Sequence, residues 1–422
     1  MHQLYQLRPK ALWQAFRRES LSYWLICFYI FLEYVRPQEI YPAIDMLPLA
    51  FVTILATVAI SFHEGNRFRV KNAENVLFVL FFLTILLSSA LAYSPQDSFD
   101  KLSIYIGWII VYFLIINLVN TGSRYFVFLV LYFLWNVKMT QHGFVTWAQR
   151  GFSYADWGVT GAPGWFQNSG EFGIQLCIFI PLLLHFIAAL WKQWNNFTRV
   201  VLVLVAVTAF GSLVATNSRG ALLGVAGALV WMWLKSGRKI VALLVILPVA
   251  LAAFYSIPTQ TIERFEGAGD DYTSQSRLKR WTDGLDIMND HPVLGIGYAN
   301  WPRFYRENYP ASEGLVPWGL PHNIFIDAGA ELGYTGLVLF VLMIVLTFVY
   351  NYRSRRIALQ MKDNVMYHIA HGLDAGMIGF LISGSFVSVL FYPYFWIGMA
   401  FTVALNNVAR TENEKYRKTQ LN

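Results

Sequence analysis

The sequence predicts an all-α integral membrane protein of about twelve transmembrane helices, with one large extramembrane loop between the ninth and tenth. Three observations carry that expectation. Hydrophobic residues make up 56% of the 422-residue chain and charged residues only 14%, whereas a soluble domain carries about a quarter charged residues. The apolar residues gather in runs close to the ~20 residues that a spanning helix needs. Lys and Arg collect in short loops that all fall on one side of the resulting topology.

The chain opens with Arg8, Lys10, Arg17 and Arg18 ahead of its first apolar run. No A-x-A-like cleavage site follows, so that run is expected to be an uncleaved span rather than a signal peptide. Spans are expected near 20–35, 46–62, 74–93, 101–119, 123–138, 171–191, 198–216, 219–235, 239–256, 322–350, 366–388 and 391–408. The connecting loops hold Arg67, Arg69 and Lys71, then Lys192 and Arg199, then Lys235, Arg238 and Lys239, then Arg353, Arg355, Arg356 and Lys362. These lie on the side of the basic N-terminus, as does the tail with Arg410, Lys415, Arg417 and Lys418. Positive loops face the cytoplasm, so both termini are expected there. The net charge of +7 is then a matter of membrane orientation and gives no reason to invoke nucleic acid. Cys27 and Cys177 both sit inside apolar runs, which leaves no disulfide framework and no CxxC metal motif.

The opposite side carries two long segments. Residues 139–170, attached to the helices of 1–256, are rich in aromatics, among them Trp147, Tyr154, Trp157, Trp165 and Phe166. They read either as an interfacial belt in the lipid headgroups or as the wall of a lipid or sugar site. Residues 257–321 form the large, partly helical loop, and 322–422 the last three spans and the tail. Chemistry in a membrane protein gathers where polar groups are tolerated, and 257–321 is the largest such place.

Within it, Arg277, Arg280, Trp281, Leu285 and Met288 fall at helical spacing, with Ser276 as a cap and His291-Pro292 as the stop. Such a helix either rests on the membrane through its apolar residues or presents guanidinium forks to phosphate. The turn Ala215-Thr216-Asn217-Ser218-Arg219-Gly220 joins two spans on the same side. Arg219 there either snorkels or adds to the positive end of the next helix, an anion site. Small residues Gly220, Ala221 and Gly224 let that helix approach a neighbour closely. His322 stands where the tenth span begins, with Asp327 and Glu331 one and two turns in. A neutral imidazole can accept a hydroxyl proton, and the two acids are expected to pair with Arg or His. Gly295-Ile296-Gly297 is no dinucleotide fingerprint, because no βαβ unit surrounds it. Nothing with metal-ligand spacing appears, so the expected chemistry needs neither metal nor cofactor.

Taken in order, Asn217-Ser218-Arg219-Gly220-Ala221, then Ser276-Arg277 with Trp281 and His291-Pro292-Val293-Leu294-Gly295-Ile296-Gly297, then His322-Asn323 through Glu331-Leu332-Gly333 resemble the O-antigen ligase and polymerase superfamily. The resemblance covers roughly the second half of the chain. Gln275-Ser276 stands where the family pattern often has Ser-Gly before the Arg. In the first half, Tyr34-Val35-Arg36-Pro37-Gln38 is similar to the ligase branch that accompanies exosortase-type loci.

The resemblance implies a GT-C-like glycosyltransferase that moves a glycan from undecaprenyl diphosphate to an acceptor hydroxyl, chiefly on lipid A-core. The reaction is expected on the periplasmic side of the bacterial inner membrane and, as a direct displacement, to invert the anomeric centre. In that scheme Arg219 and Arg277 hold the diphosphate and His322 activates the acceptor. Arg280, Trp281, Asn217, Ser218, Asn323 and Glu331 line the substrates. Donor, acceptor and membrane lipids are then the partners. A polymerase or a protein O-oligosaccharyltransferase differs only in its acceptor. A lipid-linked-glycan transporter is the more distant alternative, disfavoured because apart from His185, His371 and Asp374 the midspans carry little charge.

Overall fold

The computed structural model describes residues 1–45, 47–66, 71–153, 158–240, 272–309 and 319–421, with Leu243, Leu244 and Leu247 between them. Arg67, Arg69, Tyr154, Trp157, Arg264 and most of the expected span 239–256 lie outside the described residues. Among the described residues the protein is helical, with no strand. The helices that matter below are α1 (Pro9–Arg17), α2 (Leu21–Tyr34), α3 (Leu49–His63), α4 (Ala73–Ala90), α5 (Pro95–Leu118), α6 (Gly122–Gln149) and α7 (Ser169–Leu190). They continue as α8 (Asn196–Ala215), α9 (Arg219–Lys235), α10 (Tyr272–Asp290), α11 (Trp301–Asn308), α12 (Ile324–Met361), α13 (Asn364–Gly384) and α14 (Pro393–Leu421).

Six of these, α4, α5, α7, α8, α12 and α13, are long and apolar enough to cross a membrane by length and composition. The other expected spans within the described residues coincide with shorter or more polar helices. Several limits differ from expectation: α5 begins at Pro95 rather than near 101, α13 stops at Gly384 short of 388, and α14 runs on to Leu421, past 408. α6 runs on through Gln149, well past residue 138, and α12 extends to Met361.

Helices in an apolar medium must satisfy their first backbone N–H groups internally. The sequence supplies a side-chain acceptor at many starts: Asn72 for α4, Thr121 for α6, Asn195 for α8, Ser218 for α9 and Asp363 for α13. Asn168 and Glu171 make a reciprocal capping box at the start of α7.

The centre of the bundle is α7 against α13, with α9 against both. Glycines set these approaches. A Cβ on Gly379 would lie 2.6 Å from the Cys177 carbonyl oxygen, and one on Gly224 would lie 2.8 Å from the carbonyl oxygen of Gly379. Helix association without a hydrophobic drive depends on such backbone proximity. Beside it stands an aromatic cluster in which Trp396 stacks on Phe78 at 5.3 Å and meets Tyr105 edge-on at 5.0 Å.

Candidate active site

α12 is two helices joined at Gly333, whose backbone is non-helical (φ 68, ψ −175). That conformation is open essentially only to glycine. The break frees carbonyls on the preceding turn, and the 291–297 loop fills them. Ile296 N–H donates to the Ala330 carbonyl at 2.9 Å and Gly297 N–H to that of Glu331 at 3.1 Å. The Ser88 hydroxyl adds a second donor to Glu331 O at 2.9 Å, and Tyr334 N–H returns a bond to Pro292 O at 2.8 Å. A short helix, 324–332, is thereby held at the His322 end of the bundle.

Its start is built from Pro321-His322-Asn323. Asn323 Oδ1 accepts from Phe325 N–H at 2.9 Å and Ile326 N–H at 3.3 Å, so it caps the helix, which begins at Ile324. His322 takes a left-handed backbone (φ 53), uncommon for a residue with a side chain. Its N–H donates to Ser388 Oγ at 2.8 Å, and the Trp281 indole donates to Pro321 O at 2.8 Å.

α10 begins at Tyr272, which puts Ser276 inside the helix rather than at its cap. His291-Pro292 ends it as expected. Its buried stripe is Ser276, Arg280, Asp283, Ile287 and Met288, while Leu278 and Leu285 are about half exposed. The helix docks on 324–332 through glycine on both partners: a Cβ on Gly284 would strike Ile326, and one on Gly329 would strike Met288. This docking carries Arg277 and Arg280 to His322. The Arg280 guanidinium lies against Gly319, two residues before Pro321. Burial first, then the Arg277 and Arg280 charges, hold the His322 imidazole down at about 4, below its ordinary 6.5. The ring is therefore neutral at neutral pH.

Arg219 is the first residue of α9, behind Ser218, whose hydroxyl accepts from Ala221 N–H at 3.3 Å. Asn217 turns the chain in the left-handed region (φ 52). Gly220 packs on Phe386, where a Cβ would meet the Phe386 Cβ at 3.1 Å, and the Phe386 ring lies 6.2 Å from that of Trp281. The Arg277 and Arg280 charges thus bear on His322, Trp281 bonds the residue before it, and the Arg219 turn reaches Trp281 through one side chain.

The two acids do not take the partners expected of them. Asp327 accepts the Ser388 hydroxyl at 3.2 Å. Glu331 accepts two backbone N–H groups, Ala299 at 3.0 Å and Trp301 at 3.1 Å. Neither is joined to an Arg or a His in these bonds, because the 291–301 loop and the 385–392 loop arrive first. Ser388 and Phe386 escaped the sequence reading, for nothing in Ser385-Phe386-Val387-Ser388 marks them out. Among the aromatics of 139–170, Phe166 and Trp147 are packed into the core. Trp165 is half-buried, meets Tyr392 edge-on at 4.9 Å and lies 5.5 Å beneath the Arg36 guanidinium. Among the described residues no group of three or more His, Cys, Asp or Glu is placed to hold a metal ion.

A neutral imidazole beside two guanidiniums, at one end of an apolar bundle, can take a proton from a hydroxyl while anionic charge is held next to it. Residues 204–341, which contain Arg219, Arg277, Arg280 and His322, match the family model described as O-Antigen ligase. The chain is 30% identical over 196 residues to a curated O-antigen ligase of Pseudomonas aeruginosa, spanning 44% of this chain and 45% of that one. It is also 32% identical over 88 residues to the exopolysaccharide production protein ExoQ of Rhizobium meliloti, spanning 19% of this chain and 20% of the other. The chain thus matches less than half the length of either relative. The family model and the ligase relative support the O-antigen ligase family, in agreement with the ordered motifs.

Proposed function

We propose that this chain, a multi-pass membrane protein with an O-antigen ligase segment, transfers a glycan from undecaprenyl diphosphate to an acceptor hydroxyl on lipid A-core. The observation that carries the proposal is the neutral His322 flanked by Arg277 and Arg280. In the proposed step the His322 imidazole takes the acceptor hydroxyl proton as its oxygen attacks the anomeric carbon. The sugar–phosphate bond breaks, and the leaving diphosphate keeps the electron pair. Arg277 and Arg219 hold that growing charge, with Arg280 and Trp281 beside them. One displacement inverts the anomeric centre, and no metal takes part.

The reading places this end of the bundle in the periplasm, both termini in the cytoplasm and about twelve spans in the inner membrane, on the charge distribution of the short loops. A donor carrying its own diphosphate leaving group fits a compartment without nucleotide sugars. The similarity to an exopolysaccharide production protein favours a second reading, a polymerase that uses the same residues on a glycan acceptor.

The test is transfer by purified protein from lipid-linked glycan to three acceptors: lipid A-core, free glycan and peptide. Product on lipid A-core that disappears in His322→Ala, with the donor still bound, is the expected result. Product on glycan alone would replace the ligase by the polymerase. Normal transfer by His322→Ala would overturn the mechanism.

A further inference from the structure

The His322 backbone is itself unusual. An imidazole that must meet a hydroxyl proton has to be held to within a fraction of an ångström, and displacement by about 1 Å can cost ~10²-fold in rate. His322 is the one residue of 319–323 whose positive φ is not eased by a missing side chain, since Gly319 takes the other. A left-handed residue persists only where its surroundings over-determine it. Three contacts surround this one. Trp281 fixes the carbonyl before it and the Asn323 cap fixes the helix after it. The contact on His322 itself is its N–H to Ser388 Oγ. Among the described residues the imidazole takes part in no hydrogen bond, so orientation comes through the main chain.

Ser388 sits in the 385–392 loop between α13 and α14, beyond the segment that matches the family model. Its hydroxyl is itself oriented, since it donates to Asp327 Oδ1 on the first turn of α12. That leaves an oxygen lone pair for the His322 N–H, and the relay Asp327–Ser388–His322 closes a ring with the helix that Asn323 caps. Asp327 is buried, and a carboxyl there with no hydrogen bond would be costly. The same loop carries Phe386, which touches the Arg219 turn and Trp281. One loop therefore sets the imidazole with Ser388 and spaces the arginines with Phe386.

We propose that Ser388, oriented by Asp327, is a positioning residue that fixes the His322 backbone so that the imidazole meets the acceptor hydroxyl. The proposal rests on His322 acting as the base. Ser388→Ala removes the acceptor of the His322 N–H. Ser388→Thr keeps the hydroxyl at a half-buried position. Asp327→Asn keeps an oxygen for the Ser388 hydroxyl, and Asp327→Ala does not.

The experiment measures kcat and KM for donor and acceptor with the purified proteins, after their unfolding midpoints show each variant folded. Ser388→Ala and Asp327→Ala are expected to lower kcat about 10–100-fold with the donor KM within about twofold. Ser388→Thr and Asp327→Asn are expected to recover most of that loss. Should Ser388→Ala fail to fold, the Asp327→Asn and Asp327→Ala pair carries the same comparison. An unchanged kcat in a folded Ser388→Ala, with His322→Ala dead, overturns the positioning role and leaves the base intact. A fully active His322→Ala overturns the base, and the positioning role with it.

Discussion

Arg277→Gln removes one of the two cations that depress the His322 imidazole, and the acid limb of the pH profile should report it. With the ring held at about 4, about nine-tenths of the protein keeps a neutral base at pH 5. Were the ring to return to its ordinary 6.5, only about 3% would be neutral at that pH. Burial is the larger cause and survives the substitution, so the limb should rise and stop short of the ordinary value. The assay is kcat/KM for glycan transfer from pH 4 to 8, a quantity that reads groups in the free protein. Because Arg277 is also proposed to hold the diphosphate, the ratio of rates at pH 5 and 7.5 is the quantity to compare, not the absolute rate. That ratio should fall in Arg277→Gln and in Arg280→Gln. Stability should move in the same window. The unfolded imidazole takes its proton near 6.5 and the folded one only near 4, so stability is lost as the pH falls between them. An acid limb that stays in place or moves lower in Arg277→Gln would refute the electrostatic coupling of arginine and histidine.

Gly333→Ala should destabilise the protein by roughly 2–4 kcal/mol, from the forbidden backbone and the displaced loop bonds, with denaturant unfolding in detergent as the measure and an unchanged midpoint as the contrary result. Arg219→Lys should lower transfer roughly tenfold or more without unfolding the protein, since a point charge does not replace a planar fork on diphosphate; wild-type rates would remove Arg219 from the donor site. Arg303→Ala should stay within about 1 kcal/mol of wild type in stability and close to it in rate, because its 2.6 Å pair with Asp97 is half exposed. Transfer should persist in chelator, and activity that vanished there and returned with magnesium or manganese would contradict the proposed step.

Much of this architecture was legible because it is local or compositional. Apolar runs and the stop at His291-Pro292 are properties of neighbouring residues. The grouping of Arg277 with His322 came from the resemblance to a family and not from the residues themselves. What stayed hidden is pairing across long sequence separations. Asp327 was expected to find a cation, and it found a serine 61 residues away. Glu331 was expected to do the same and instead serves two backbone amides of the 291–301 loop. Asn323 looked like a substrate contact beside a catalytic His, yet an Asn before an apolar helix is also a cap signal. The Gly333 break had a faint signature, a glycine inside a helical run, but glycine there is compatible with an unbroken helix too.

The seam at Gly333 makes the 291–301 loop unlike an ordinary connection. Surface loops are where a chain tolerates added or deleted residues. Here the main chain is threaded like a key: Ile296 and Gly297 engage the carbonyls of Ala330 and Glu331, and a few residues on, Ala299 and Trp301 engage the Glu331 side chain. The two engagements share one helix turn, so their spacing is fixed on both strands of chain. A single residue inserted between 297 and 299 would put one pair out of phase with the other. The length of this loop, more than its composition, is the quantity that variation in such a chain is least free to change.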